Sequence, residues 1–226
     1  MSEDVMDKYV SLLLQQYRFF AYLFKRPKMR LENGMFIISV DVDVGNKELG
    51  LINKGKNDAN VSSSTSEYII GEIEEQVLPL LVDLFNDFEI PVTFAIRGQL
   101  AEVDDSILEF ILKSTVKHDI GAHGYFHKQF VNLSHNEAEN ELKMISLGMK
   151  KFGIKPRSFI FPRNSVAYLD LLEKYGYICY RGCNYSMHIE KKDHLYNILP
   201  SLFLGQSISS IFPKKILDIS IAKKLP

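Results

Sequence analysis

Short apolar runs alternate with amphipathic segments along most of the chain. The run MFIISVDVDV at 35–44 is β-branched and apolar, which predicts a buried strand that ends in carboxylates. Further strands are predicted at PVTFAI from Pro91, at DIGAH, at RSFIF (157–161) and at YICYR (177–181). This alternation predicts an α/β fold around a parallel sheet, open or closed into a barrel, with chemistry at the carboxyl ends of the strands.

Helices are predicted between these strands wherever apolar residues recur at helical spacing. Ser134 and Glu137 form a capping box that predicts a helix start at that point. The predicted helices run from Glu67 to about Asn86, over 104–114, from Ser134 to about Lys151, and over 165–176 with Gly176 closing the last one. The polar segment 45–66 predicts a long loop, and after about residue 185 the pattern predicts no further element.

The chain length bounds the number of domains. At 226 residues we expect one domain over 1–226, with a helical extension at 1–30 and a core at 35–183. The run YVSLLLQQYRFFAYLF at 9–24 is too short and too interrupted by polar residues for a transmembrane helix. We interpret it as an amphipathic helix that packs within the chain, with peripheral contact to a membrane surface as the alternative.

Charge and cysteine content narrow the function classes. The formal net charge of -1 gives no reason to expect a nucleic-acid partner. Cys179 and Cys183 predict neither a disulfide framework nor a structural zinc site. Acidic residues occupy the N-terminal segment where a signal peptide carries positive charge, so we expect a cytoplasmic protein.

Two histidines follow the third predicted strand in GAHGYFH. His123 and His127 would share one face if a helical turn began at His123, and two such imidazoles with one carboxylate can bind a metal ion. The alternative is one histidine in the core and one on the surface. Their position after a strand that ends in small residues favours a metal site.

Asp41 and Asp43 point to the same side of the first strand, since side chains alternate with period two. One carboxylate can bind the metal while the other takes a proton from water. Three alternatives exist for such a pair: solvated acids, the nucleophile and acid of a haloacid-dehalogenase-type phosphatase, and the metal-binding pair of a glycosyltransferase. A phosphatase of this type requires a second pair of acids after a later strand, and a glycosyltransferase requires a long nucleotide-binding segment before the aspartates. The sequence predicts neither feature. Neither enzyme class explains the two histidines.

The segments SVDVDVG, PVTFAIRG, GAHGYFH and FIFPRN, in this order, resemble the polysaccharide deacetylase (NodB-homology, carbohydrate esterase family 4-like) family over 35–183. The resemblance implies a distorted, incomplete (β/α) barrel, here short at its C-terminal end. It implies Asp41 as the catalytic base and a divalent ion, most readily Zn²⁺, on three ligands: Asp43, His123 and His127.

The same resemblance implies that Arg163 orients Asp41 and that the backbone amide of Asn164 or Ser165 holds the oxyanion. The implied reaction is hydrolysis of an N-acetyl group on a sugar or glycan, and a nucleotide or lipid carrier for that sugar is one expectation. The family supplies a general acid from a late Leu-x-His motif, which 207–226 lacks, and neither His188 nor His194 has that context. We therefore also consider a degenerate glycan-binding protein and a shortened chain whose last strand is lost or supplied by another polypeptide.

Overall fold

The computed structural model describes residues 37–43, 71, 73–103, 105–182 and 189–198. All of them belong to one compact unit, residues 27–183 with 188–198, and the chain's second unit lies outside the described residues. The predicted helix at 9–24 and the predicted loop at 45–66 also lie outside them. The prediction of a single domain over 1–226 therefore stays a prediction.

Seven described strands form one sheet, in the order β1-β2-β3-β4-β5-β7-β6. The strands are β1 Ser39–Val42, β2 Thr93–Ile96, β3 Asp119–Ala122, β4 Ser158–Ile160, β5 Cys179–Arg181, β6 Ile189–Lys192 and β7 Leu195–Ile198. Every neighbouring pair is parallel except β6 with β7. The prediction of an α/β fold with an unclosed, mainly parallel sheet is confirmed.

Five described α-helices accompany the sheet: α1 Leu78–Asp87, α2 Gly98–Val103, α3 Asp105–Leu112, α4 His135–Lys150 and α5 Leu169–Lys174. A π-helical segment, Ile73–Val77, precedes α1, and 3₁₀ turns lie at Phe130–Asn132 and Pro162–Asn164. The capping box is confirmed, since Ser134 Oγ accepts from the Glu137 amide and the Glu137 carboxylate accepts from the Ser134 amide. Helix α5 begins later than predicted because Tyr168, directly before it, is left-handed (φ 54°).

The hairpin of β6 and β7 lies beyond residue 185, where the sequence pattern does not predict any element. β7 pairs with β5 in parallel and buries Leu195, while β6 is a half-exposed edge strand rich in charge. Charged residues on an edge strand blunt its capacity for further pairing. The same residues hide the apolar alternation by which a strand is predicted.

The strands that position the site are buried through the middle of the sheet. Phe94, Ala95 and Ile96 of β2 are fully buried, and Phe159 of β4 packs edge-on against Phe130 and Phe161. Burial on both faces explains why these parallel strands appear as continuous apolar runs in the sequence. In the described part of the chain, no helix has the length and apolar character needed to cross a membrane.

Candidate metal and catalytic site

The register of the first three strands aligns their last residues, so the polar residues that directly follow them lie side by side. Val42 pairs with Ile96, and Ile96 pairs with Ala122, so the residues that follow them lie side by side. Those residues are Asp43, Arg97 and His123. The hydrogen bonds continue past the strand ends, from Arg97 N to Val42 O (3.3 Å) and from His123 N to Ile96 O (2.9 Å).

Asp43, His123 and His127 converge at this edge, as the sequence predicted. Each offers one ligand atom, and these atoms all lie within 4.8 Å of one another. Asp43 Oδ2 is 3.3 Å from His127 Nε2. One carboxylate oxygen and two imidazole nitrogens are a donor set that suits a catalytic zinc site with an open position. The residues present therefore fit a divalent metal ion.

A backbone hydrogen bond fixes the orientation of the His123 ring. Nδ1 of His123 lies 2.8 Å from the carbonyl oxygen of Ile160. Because a carbonyl only accepts, Nδ1 donates in this contact, and Nε2 is the ring nitrogen that remains to bind a metal ion. Most metal-binding histidines are oriented in this way, by a hydrogen bond from the ring nitrogen that does not bind the metal.

The rings of His123 and His127 lie close together although no helical turn begins at His123. Residues 123–129 form a loop in which Gly124 (φ 69°) and His127 (φ 56°) are left-handed. The loop brings the two rings to a centroid distance of 4.9 Å. At Gly124 a Cβ would lie 2.8 Å from Cγ of Pro162, so close packing as well as φ requires glycine there.

Two buried charged residues hold the backbone of this histidine loop. Glu141 of α4, only 3% exposed, accepts from the amides of Tyr125 (2.7 Å) and Phe126 (2.9 Å). Arg97, 2% exposed, donates to the carbonyls of the same two residues at 3.4 and 3.3 Å, and to Asp43 at 3.2 Å. Arg97 thus ties the carboxylate ligand to the loop that carries His127.

Asp41 has a bidentate arginine partner that the sequence analysis missed. Arg181 donates from Nη1 to Oδ1 (2.8 Å) and from Nη2 to Oδ2 (2.6 Å) of Asp41, and also from Nη1 to Ser39 Oγ (3.0 Å). Asp41 Oδ2 lies 4.0 Å from Nε2 of His123, directly beside the three ligands. The signal in the sequence was a charged residue at the end of the predicted strand YICYR, where this fold places its chemistry.

Arg163 occupies a different place from Arg181. It is exposed, left-handed (φ 51°), and lines a cavity next to His127. In the structure the arginine that contacts Asp41 is Arg181. The predicted role of Arg163 in orienting Asp41 stays a prediction.

The candidate oxyanion amides are already hydrogen-bonded. Asn164 N donates to Phe161 O (3.0 Å) and Ser165 N donates to Pro162 O (3.1 Å). An oxyanion role for either amide would require this turn to open, and it stays a prediction.

The electrostatic setting of His127 favours its neutral form. Burial lowers the pKa of His127 below its usual value, and this effect outweighs the opposing attraction of Asp43. His123, Arg97 and Arg163 each lower the same pKa further. A neutral imidazole is the form that binds metal, so His127 remains a competent ligand below the pH at which an ordinary histidine is protonated.

His194 does not reach the site. It lies in the turn between β6 and β7, at the start of a strand parallel to β5, and its amide donates to Glu173 of α5 (3.0 Å). The start of β7 is at the amino end of the parallel strands, opposite the end at which Asp41 and the three candidate metal ligands lie. His188, the other late histidine, lies outside the described residues.

Comparison with known proteins gives a family match and several structural matches. A family model described as polysaccharide deacetylase matches residues 57–178, more than half of the chain. No curated protein sequence matches.

Among solved structures, a candidate polysaccharide deacetylase from Mycobacterium smegmatis superposes with a TM-score of 0.61 at 18% identity; the match covers 78% of this chain and 63% of that one. A family 4 pseudoenzyme from Bacillus anthracis gives a TM-score of 0.48 at 15% identity, over 65% of this chain and 42% of that one. A family 4 carbohydrate esterase from Streptomyces lividans in complex with acetate gives 0.41 at 15%, over 66% and 62%. This chain thus spans less than two thirds of the length of each, and the first match shows a shared fold.

Proposed function

Because the chain belongs to the polysaccharide deacetylase family, we propose that it removes an N-acetyl group from a sugar by metal-assisted hydrolysis. One observation carries the proposal: Asp41, held by Arg181, lies beside the triad of Asp43, His123 and His127. A carboxylate that lies outside the ligand set, next to a three-ligand metal site, is the arrangement that metal-assisted amide hydrolysis requires.

Asp43, His123 and His127 would hold the metal ion. Their oxygen and nitrogen donors suit Zn²⁺, although the same set accepts other first-row divalent ions. When bound, the ion would act as a Lewis acid that polarises the acetyl carbonyl and makes water easier to deprotonate. Arg97 and the Ile160 carbonyl orient Asp43 and His123 for this purpose.

Asp41 acts as the general base in the proposed reaction. Its carboxylate takes a proton from water, and the water oxygen attacks the acetyl carbon. The bidentate contact with Arg181 fixes the plane of the carboxylate, with Oδ2 4.0 Å from Nε2 of His123. The two parallel hydrogen bonds restrict the side chain without occupying every lone pair.

The leaving amine needs a proton when the carbon–nitrogen bond breaks. Asp41 carries that proton after the first step and lies next to the ligands, so we assign it both transfers, first as base and then as acid. Acetate and the free amino sugar are the products, and Asp41 is again a carboxylate. This assignment accounts for turnover without a late histidine.

A second candidate function is glycan binding without turnover. The observation that favours it is the position of His194 at the amino end of the parallel strands, which removes one candidate for the family's general acid. Loss of general acid catalysis slows a reaction by about 10²- to 10⁴-fold.

Asp41→Asn tests the proposal directly. We expect the variant to keep its metal, since Asp41 is outside the triad, and to release acetate from chito-oligosaccharides at least about 100-fold more slowly. The assay compares metal content and acetate release in the wild type, in Asp41→Asn and in the control Asp170→Asn, an exposed acid of α5. An Asp41→Asn enzyme as fast as the wild type would exclude Asp41 as the base. Metal-loaded wild type that binds these sugars and releases no acetate would favour the second candidate.

A further inference from the structure

A cavity of about 360 Å³ opens next to His127. It is lined by His127, Lys128, Gln129, Asn132, Leu133 and Arg163. Two of these described lining residues carry a full positive charge, two carry amides, and none is acidic. A cavity lined by charges of one sign attracts ligands of the opposite charge.

We infer that this cavity binds an anionic group of the substrate, a phosphate or a carboxylate attached near the N-acetylated sugar. The inference rests on the proposed function, since it names the class of sugar that the same site takes. Lys128 and Arg163 would bind the anion, and the amides of the cavity would contact sugar hydroxyls.

The pairing of the site's cationic side chains supports this inference. Arg97 forms an ion pair with Asp43, and Arg181 forms one with Asp41. In the described part of the chain, neither Lys128 nor Arg163 has a carboxylate within 4.0 Å. Arg97 and Arg181 therefore neutralise carboxylates of the protein itself. Lys128 and Arg163 are the two cations of the cavity that can bind a ligand.

The backbone that presents Arg163 is strained. Arg163 (φ 51°) and Asn164 (φ 54°) are consecutive non-glycine residues in the left-handed region, which is costly for both. The turn persists because the buried hydroxyl of Ser165 donates to Pro162 O (2.8 Å) and accepts from Phe130 N (2.7 Å). Strain that the surroundings maintain in this way is characteristic of ligand-binding positions.

Lys128, the other cation that lines the cavity, directly follows the candidate metal ligand His127. Its Nζ lies 5.2 Å from the centroid of the Phe126 ring, so a cation–π contact restrains the exposed side chain. Glu137 is near enough to Lys128 for its pKa to be lowered slightly by it, but the Glu137 carboxylate is held by Ser134. The ammonium thus remains available to a ligand.

The cavity's chemistry fits both phosphate and carboxylate. A guanidinium forms bidentate hydrogen bonds with either, and an ammonium adds a point charge. Gln129 Oε1 accepts from Asn132 Nδ2 (3.3 Å), which orients the two amides toward each other and leaves the Gln129 amino group to donate.

Calorimetric titration of the zinc-loaded protein tests the inference. The probes are N-acetylglucosamine, its 1-phosphate, its 6-phosphate and N-acetylmuramic acid. We expect at least one anionic probe to bind about tenfold more tightly than the neutral sugar, because a charge-assisted hydrogen bond contributes roughly that factor. The advantage should shrink at high salt, since both cations are exposed. A phosphate preference indicates a phosphorylated sugar or carrier, and a preference for N-acetylmuramic acid indicates an acidic sugar.

Three variants make the test specific. Lys128→Gln and Arg163→Gln should each remove most of the anionic advantage, and Arg163→Lys should retain part of it. Lys117→Gln, at the amino end of the parallel strands before β3, is the matched control and should change nothing. Metal content of each variant is measured first, so that a lost site is not mistaken for a lost charge.

Acetate release from the same probes separates this inference from the proposed function. Tighter binding of an anionic probe that depends on Lys128 and Arg163, without any acetate release, would support anion binding in the cavity and contradict the proposed deacetylase function. Equal binding of neutral and anionic sugars would overturn the cavity's role whether or not acetate is released.

Discussion

At the scale of single residues, the proposed base depends on an arginine far from it in the sequence. Arg181 is 140 residues from Asp41 along the chain, yet their side chains form two hydrogen bonds. The sequence predicted the group that Asp41 belongs to, because both aspartates lie at the end of the first strand and both histidines follow the third. The Arg181 contact depends on where the fifth strand lies relative to the first, and local patterns do not contain that information.

Arg181→Lys should lower kcat by about 10- to 100-fold and leave metal content unchanged. Lysine keeps the charge but cannot make two parallel hydrogen bonds, so the Asp41 carboxylate loses its fixed orientation. KM should change little, because Arg181 contacts the base rather than the sugar. The measurement is steady-state acetate release with metal analysis on the same samples.

Arg157→Lys is the control, since Arg157 precedes β4 at the amino end of the parallel strands. If Arg181 had only a structural role, the Arg181→Lys variant would instead have a lower unfolding temperature and an unchanged kcat of the folded fraction. That result would contradict the assignment of Arg181 as a positioning residue.

At the scale of elements, the histidine loop depends on helix α4. Glu141 reaches from α4 to two consecutive amides of the loop, and a buried carboxylate is retained there because both amides donate to it. The sequence predicted the helix and its cap but not this contact, since Glu141 resembles any other charged helical residue. The conformation of the loop was not predictable either, because i, i+4 spacing does not distinguish a helical turn from a glycine-containing loop.

Glu141→Gln should weaken zinc binding by about 10- to 100-fold, the usual effect of losing a group that orients a ligand. The glutamine keeps the shape, but its neutral oxygen accepts less strongly from the Tyr125 and Phe126 amides. The measurement is competition for zinc with a chromogenic chelator. Glu139→Gln, on the same helix, is the control and should retain wild-type affinity; equal affinity in both variants would show that Glu141 does not position the loop.

Helices α4 and α5 are joined by a carboxylate whose titration can be followed. The hydrogen bond from Lys174 (2.9 Å), with a smaller contribution from the Tyr175 hydroxyl (3.2 Å), lowers the pKa of Glu139 to about 2. Because the folded pKa is below the usual 4.5, the stabilisation is complete above about pH 4.5 and is lost as the pH falls toward 2.

We expect Glu139→Gln to lower the free energy of unfolding near neutral pH and to have progressively less effect between pH 4.5 and 2. The effect should be small, since the pair is at the surface. Urea unfolding at several pH values measures it, with Glu109→Gln of the exposed Glu109–Lys113 pair as control. A difference between wild type and Glu139→Gln that stays constant with pH would contradict the assignment.

At the scale of the whole molecule, the parallel sheet is what unites the site. Strand and helix alternation predicted the sheet up to β5, because buried parallel strands are continuous apolar runs. It failed for the β6–β7 hairpin, whose edge strand is charged, and for α2, a six-residue helix that begins at a glycine. Three of the site's groups, Asp43, Arg97 and His123, are adjacent because their strands are in register.

The metal content of the purified protein tests the central claim most directly. After reconstitution with zinc and removal of free metal, we predict roughly one ion per chain in the wild type and almost none in His127→Ala, which removes one of the three ligands. His135→Ala is the matched control, because His135 is exposed on α4 and pairs with Asp170, and it should retain the ion. Native mass spectrometry measures all three proteins. A wild type that binds no zinc, cobalt or nickel, or a His127→Ala variant that binds as much as the wild type, would contradict the metal site and the hydrolysis built on it.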